Sequence, residues 1–89
     1  MPSIAFTSNL RRHVDCPSAE VTGGTVAECF ADYFARQPQV RTYVLDDQGR
    51  IRRHVAVFLA GEQLRDPITQ SDPVAAGDEI TVMQALSGG

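Results

Sequence analysis

An imidazole, a thiol or a carboxylate does chemistry only when a partner group stands at a useful spacing, and the body of this chain offers few such pairs. His13 falls in an early turn region and His54 at the start of a strand, neither with a metal-ligand partner nearby. Cys16 and Cys29 lie thirteen residues apart and form no CxxC pair. Cys29 falls within an apolar helix stripe and reads as a buried structural thiol, whereas Cys16 precedes Pro17 in a loop that leaves it room to be exposed. No lysine follows Gly23-Gly24, so these glycines are not a phosphate-cradling loop. Asp46-Asp47 and Asp78-Glu79 suit turns and lack the spacing of a calcium loop. The chain is therefore not expected to be an enzyme. Its end is different: Gly88-Gly89 follows the short spacer Gln84-Ala85-Leu86-Ser87. Two side-chain-free residues can thread a narrow channel and set a carboxylate against a reagent.

Composition narrows the classes further. Eighty-nine residues suffice for one hydrophobic core, and 43% apolar with 21% charged content is ordinary for a folded domain. The net charge of -3, from eight arginines and eleven acidic side chains, argues against phosphate-backbone binding, so no nucleic-acid partner is expected. Two short basic runs, Arg11-Arg12-His13 and Arg50 with Arg52 and Arg53, read as solvated faces. There is no lysine, so the body offers no lysine amine to which a further copy could be attached. Two cysteines are too few for a disulfide scaffold. Neither a leader pattern nor an apolar stretch of about twenty residues is present, and the expectation is a cytoplasmic protein with no membrane partner.

The elements that must hold the tail emerge from periodicity. Ile4 and Phe6 alternate with polar or small neighbours as in a half-buried strand, Asn9 to His13 read as a turn, and a weaker strand runs through residues 18–22 to Gly23-Gly24. Thr25 and Glu28 have capping-box spacing, and Val26, Cys29, Phe30, Tyr33 and Phe34 then form one broad stripe of a helix that Pro38 stops. Tyr43-Val44-Leu45 suits a short strand or a single turn, and residues 46–49 another turn. Residues 52–60 form a strand with Val55, Val57 and Leu59 on one face. Gly61-Glu62 turns the chain into a short partner strand at 63–65, and residues 66–77 are irregular. Ile80 and Val82 face inward on a last strand whose pattern ends after Met83.

An aromatic helix stripe needs a sheet to cover it. The expected fold is α+β, a β-grasp in which a mixed sheet carries one main helix on one face. A single domain spans residues 1–83, and residues 84–89 form a flexible tail. The expected core is Ile4, Phe6, Val26, Phe30, Phe34, Val55, Val57, Leu59, Ile80 and Val82. Alternation then turns Phe58 and Met83 to the uncovered face, where Leu86 extends an apolar docking patch and Arg52 flanks it to steer an acidic partner.

The sequence resembles the ubiquitin-like sulfur-carrier family, which includes the small subunit of molybdopterin synthase, the thiamine sulfur carrier and the thiocarboxylate carrier of a cysteine pathway. The likeness runs through Ile4-Ala5-Phe6, Gly24-Thr25-Val26, His54 to Leu59, and Ala76 to Val82 leading into Ala85-Leu86-Ser87-Gly88-Gly89. The resemblance implies a protein co-substrate that binds no cofactor itself. A ubiquitin-activating-like adenylyltransferase would use ATP to adenylate the Gly89 carboxylate, with Leu86, Ser87 and Gly88 threading its channel. A sulfur source would then convert Gly89 to a thiocarboxylate for a sulfur-acceptor enzyme. The segment 45–53 and the Met83-Gln84-Ala85-Leu86 stretch look most like the cysteine-biosynthesis carrier, with a cysteine synthase-like acceptor. Molybdopterin tails commonly carry prolines where this chain has Gln84 and Ala85. The small subunit of molybdopterin synthase, and a modifier conjugated to other proteins through Gly89, are the alternatives.

Overall fold

A computed structural model describes residues 1–12 and 14–84. The first strand, β1 (Ser3–Phe6), buries Ile4 and Phe6 and leaves Ser3 and Ala5 half-exposed. The chain then makes a short helix, α1 (Ser8–Arg11), where the sequence suggests only a turn. Leu10 explains the difference: burying this one apolar side chain requires the chain to wind inward after β1. β2 (Ala19–Glu20) pairs antiparallel with β1, with Ile4 opposite Ala19, and Val21 just beyond it is fully buried.

The main helix, α2 (Val26–Arg36), starts at Thr25, whose Oγ1 accepts from the Glu28 N–H at 3.2 Å. Glu28 Oε1 reaches back to the Gly24 N–H at 2.7 Å, one residue earlier than a standard capping box. The free N–H groups of the first turn go to a neighbouring loop: Val26 donates to the Asp72 carbonyl and Ala27 to that of Gln70. Gly23 is required here, because a Cβ would sit 2.7 Å from the Cys29 backbone nitrogen. The expected stripe is the buried one: Val26, Cys29, Phe30, Tyr33 and Phe34. Phe6 meets Tyr33 with ring centroids 5.2 Å apart, and Phe30 stacks on Phe34 at 5.3 Å.

Pro38 ends this helix but also opens another, α3 (Pro38–Val44), in place of the short strand or single turn expected at Tyr43 to Leu45. Proline at the first helical position has no N–H to lose and a φ suited to the helix. Val40 and Val44, four apart, are both fully buried and anchor the two turns. The turn at 46–49 is as expected, with Asp46 Oδ1 accepting from the N–H groups of Gln48 and Arg50.

β3 (Val55–Leu59) is shorter than the expected 52–60 and leads through Ala60 and Gly61 into β4 (Glu62–Gln63). Both turn residues have positive φ, 52° and 85°, as a two-residue hairpin matched to strand twist demands. The turn and partner strand therefore lie one residue earlier than the sequence suggests. β5 (Glu79–Gln84) includes Gln84, one residue past the expected end of the pattern.

The sheet order is β2-β1-β5-β3-β4, with β5 central, parallel to β1 and antiparallel to β3. Ile4, Phe6, Val55, Val57, Ile80 and Val82 share one core cluster with the buried sides of α2 and α3, so both helices cover the same sheet face. This is the β-grasp arrangement. Of the expected core only Leu59 is partly exposed. Leu10, Val21, Tyr33, Val40, Val44, Leu45, Leu64 and both cysteines join the cluster. Cys16 is 1% exposed, which corrects the reading of a loop thiol open to water. The chain folds Pro17 against α2, where its carbonyl accepts from the Tyr33 hydroxyl at 2.7 Å, and Cys16 is carried inward with it.

Candidate functional site

The tail residues Leu86, Ser87, Gly88 and Gly89 lie outside the described residues, so the geometry begins at the root of the tail. Gln84 ends β5 opposite Val55, Met83 stands opposite Ala56, and Thr81 opposite Phe58. Phe58 and Met83 are therefore diagonal neighbours on the face turned away from the helices, within reach of one another's long side chains. Both are half-exposed, as are Ala5, Ala56 and Thr81 beside them. The sheet thus presents two large apolar side chains set among small ones, next to the end from which residue 85 continues.

Arg52 lies beyond Val55 at that same end. Its Nε donates to the Thr42 carbonyl at 2.6 Å and its backbone N–H to the Val44 carbonyl at 2.9 Å. Both acceptors belong to the last turn of α3, where free carbonyls and the helix dipole favour a cation. Arg52 thus closes α3 as well as flanking the patch.

Pairing explains a second feature of this end. β1 runs parallel to β5, with Phe6 opposite Val82, and the Thr7 N–H donates to the Val82 carbonyl. The segment just after β1, including the exposed Arg11 and Arg12, therefore gathers on one side of the departing strand. The segment just before β3, including exposed Arg50, Arg53 and His54, gathers on the other. The two basic runs, far apart in sequence, share one end of the sheet. Each run is visible in the sequence, but only the parallel pairing reveals their convergence. Asp46 and Asp47 stand near Arg50 in the 46–49 turn. The Asp46 carboxyl is held below its usual range, chiefly by the Arg50 N–H. Among the described residues the ion pair within 4.0 Å is Asp32 with Arg36, on α2. The opposite end of the sheet, where β5 begins, carries Glu62, Asp78 and Glu79, with Arg65 nearby.

No group of three or more His, Cys, Asp and Glu side chains that could hold a metal exists among the described residues. Burial pushes the Cys16 and Cys29 thiols up, away from the thiolate a nucleophile requires. A cleft of about 390 Å³ over α2 is lined by Ala31, Phe34, Arg41 and Gln70 among others and contains no acid–base or nucleophile–base pair. The described part of the body therefore presents surfaces and no catalytic constellation.

A family model described as the ThiS family matches residues 9–89, which takes in nearly the whole domain and the terminal glycines. The chain belongs to the ThiS family. Members of this ubiquitin-related family are small carrier or modifier proteins that are not themselves enzymes and act through partners. The ThiS-family chain here is a small ubiquitin-like protein of this type with glycine at its C-terminus. No curated protein matches it significantly in sequence.

Solved structures share its fold. The Amycolatopsis orientalis BexX/CysO complex contains a chain that is 24% identical, with a TM-score of 0.81 and all of each chain covered. SAMP1 from Haloferax volcanii is 23% identical with a TM-score of 0.75, covering 99% of this chain and 98% of the other. Mycobacterium tuberculosis CysO is 21% identical with a TM-score of 0.80, covering 97% and 100%. At these identities the likeness is one of fold, and it extends equally to CysO and to an archaeal modifier. No helix among the described residues of this ThiS-family protein is long and apolar enough to cross a membrane.

Proposed function

We propose that this protein is a sulfur carrier whose Gly89 carboxylate is adenylated by a ubiquitin-activating-like partner and then converted to a thiocarboxylate. The observation that carries this reading is the extent of the family match, which continues through Gly89 and so includes the terminal glycines with the domain. An ionised carboxylate is unreactive toward nucleophiles near neutral pH. Joining it to AMP at the expense of ATP supplies a leaving group. A sulfur nucleophile from the donor then displaces AMP, and the resulting thiocarboxylate attacks an electrophile on the acceptor. ATP and the sulfur source serve the partner enzymes, and the chain itself binds no cofactor.

In this reading the body ends with β5 at Gln84, one residue past the expected boundary, and residues 85–89 are the tail, with Leu86, Ser87 and Gly88 in the partner's channel. Phe58 and Met83 form the docking patch, with Arg52 at its edge. The acceptor we favour is a cysteine synthase-like enzyme, on the strength of the segment 45–53 and the stretch 83–86, which resemble the cysteine-pathway carrier. Conjugation to other proteins through Gly89 is the second reading, and the comparisons back it better than the cysteine-pathway reading, through the full-length likeness to SAMP1, a small archaeal modifier. The reading as a molybdopterin synthase small subunit rests on the family match alone.

The decisive experiment is mass spectrometry of the protein isolated from its native host, together with adenylation assays of a Gly89 deletion. A C-terminal oxygen replaced by sulfur supports the carrier, and branched peptides bearing its terminus on other proteins support the modifier. A Gly89-deleted chain that is adenylated at the normal rate rules out both.

A further inference from the structure

We propose that the body is cleared of nucleophiles around its own activated terminus, so that an acylating Gly89 forms no stable bond with the chain that carries it. The inference rests on the reading that Gly89 becomes an electrophile. A short tail joined to its own body holds that electrophile at an effective concentration on the order of millimolar. Any accessible amine near its root would therefore compete with the intended acceptor.

Four observations remove that competition. First, the cations that the parallel pairing gathers at the exit end are all arginines: Arg11, Arg12, Arg50, Arg52 and Arg53. A guanidinium is a delocalised cation and does not attack carbonyls as a free lysine amine does. The chain has no lysine at any position. Second, an amine at the head of β1 starts from the opposite end of the sheet, because Ser3 pairs with Glu79. The β5 strand spans about 17 Å at some 3.3 Å per residue. Residues 85–89 extend about 18 Å at most, so they would have to double back at full stretch.

Third, both thiols are fully buried, and Cys29 Sγ is directed to the Gly23 carbonyl at 3.8 Å. Fourth, the Tyr33 hydroxyl is buried and engaged with the Pro17 carbonyl. Among the described residues the exposed imidazole and phenol are His54 and Tyr43, which with hydroxyls such as that of Ser8 yield an acyl-imidazole or esters, all cleaved by hydroxylamine. The exit end therefore carries strong positive charge for an anionic partner without an amine that could capture the tail.

The test uses the full chain as a Gly89 thioester, prepared by cleaving an intein fusion with mercaptoethanesulfonate. This probe bypasses the activating enzyme, so its outcome is separate from whether Gly89 is adenylated at all. Three proteins are compared at high dilution: wild type, Arg53→Lys at the exit end, and Arg65→Lys at the opposite end. Both arginines are exposed and make no side-chain hydrogen bond among the described residues, so the fold is retained and circular dichroism confirms it. In a lysine variant the amine nitrogen forms a bond to the Gly89 carbonyl carbon. The C–S bond breaks, and the thiolate leaves and takes up the proton that nitrogen loses.

After hydroxylamine treatment, wild type should contain no resistant adduct by intact mass. Arg53→Lys should accumulate a resistant species one water lighter than the free acid, at least about tenfold faster than Arg65→Lys. The proposal is overturned if wild type forms a resistant adduct, if Arg53→Lys only hydrolyses, or if the two lysine variants react at the same rate.

Discussion

Phe58 stands across the sheet from Thr81, and this register sets it diagonal to Met83 on the face that α2 and α3 leave open. The pair places two large, half-exposed apolar side chains near the root of the tail. A large aromatic and a polarizable methionine on an accessible face are suited to an interface hot spot. Phe58→Ala should weaken capture by the activating enzyme at least about tenfold, or about 1.4 kcal/mol, while the unfolding midpoint moves little. Titration and thermal unfolding should be measured together. Unchanged affinity removes Phe58 from the interface, and a large loss of stability assigns it to the fold.

Phe30 occupies the reverse situation. It is buried on α2 and stacked on Phe34. Truncation to alanine removes most of a ring and leaves a cavity, a change that typically costs about 3–5 kcal/mol. Urea denaturation of Phe30→Ala should show a loss in that range with the denaturant slope preserved. A shift near zero would falsify the packing of α2 against the sheet.

Arg52 has two roles that one substitution cannot separate. Arg52→Ala should lower stability by about 1 kcal/mol, since it strips a cation and a hydrogen bond from the end of α3. Arg53→Gln removes a charge from the same end of the sheet without touching α3. It should leave the unfolding midpoint in place and weaken the salt dependence of association with the partner. If Arg52→Ala unfolds at the wild-type midpoint, the contact with Thr42 contributes nothing to the fold.

Stability should fall on the alkaline side. Burial raises the Cys16 and Cys29 thiols and pushes the Tyr33 hydroxyl up to about 12. In the unfolded chain these groups ionise near their ordinary values, about 8.5 and 10. The fold favours the protonated forms, so their contribution is complete below about pH 8.5 and is lost as pH rises toward 12. With no lysine in the chain, no ammonium side chain adds to that window. The urea midpoint should decline steadily above about pH 9, and Tyr33→Phe should flatten the part above about 10. A midpoint that stays level up to pH 11 would contradict the burial of these groups.

The parts of this fold legible in sequence are those whose local pattern and tertiary role agree. The α2 stripe, its Thr25 cap and the alternation of Ile80 and Val82 are local signals, and the sheet uses each as written. Pro38 reads only as a stop, because the stripe before it dominates the window. The helix that it opens is anchored by just Val40 and Val44, too sparse a pattern to stand out. Leu10 and Cys16 escape sequence reasoning for a related cause: a lone apolar residue between polar neighbours has no period, and only the packed core shows that it turns inward. At the site, alternation alone suffices to turn Phe58 and Met83 outward. Bringing Arg11 and Arg12 to the same end as Arg53 requires the parallel pairing of the first strand with the last, which no local pattern encodes.

That pairing also bears on how the molecule is made. Among the described residues, the strand at the centre of the sheet comes after every other element in sequence, and its neighbours are the earliest strand and β3. Contacts between such distant segments make folding slow, because a long loop must close before they form. A nascent chain emerging from the ribosome holds β1, α2 and β3 with the middle of their sheet missing. The strand that joins β1 to β3 is available only once residues 79–84 have been added. Translation that stops earlier leaves an open, protease-sensitive intermediate. Completion of the sheet thus becomes a checkpoint on synthesis, since a polypeptide that stops before β5 lacks the strand that joins β1 to β3.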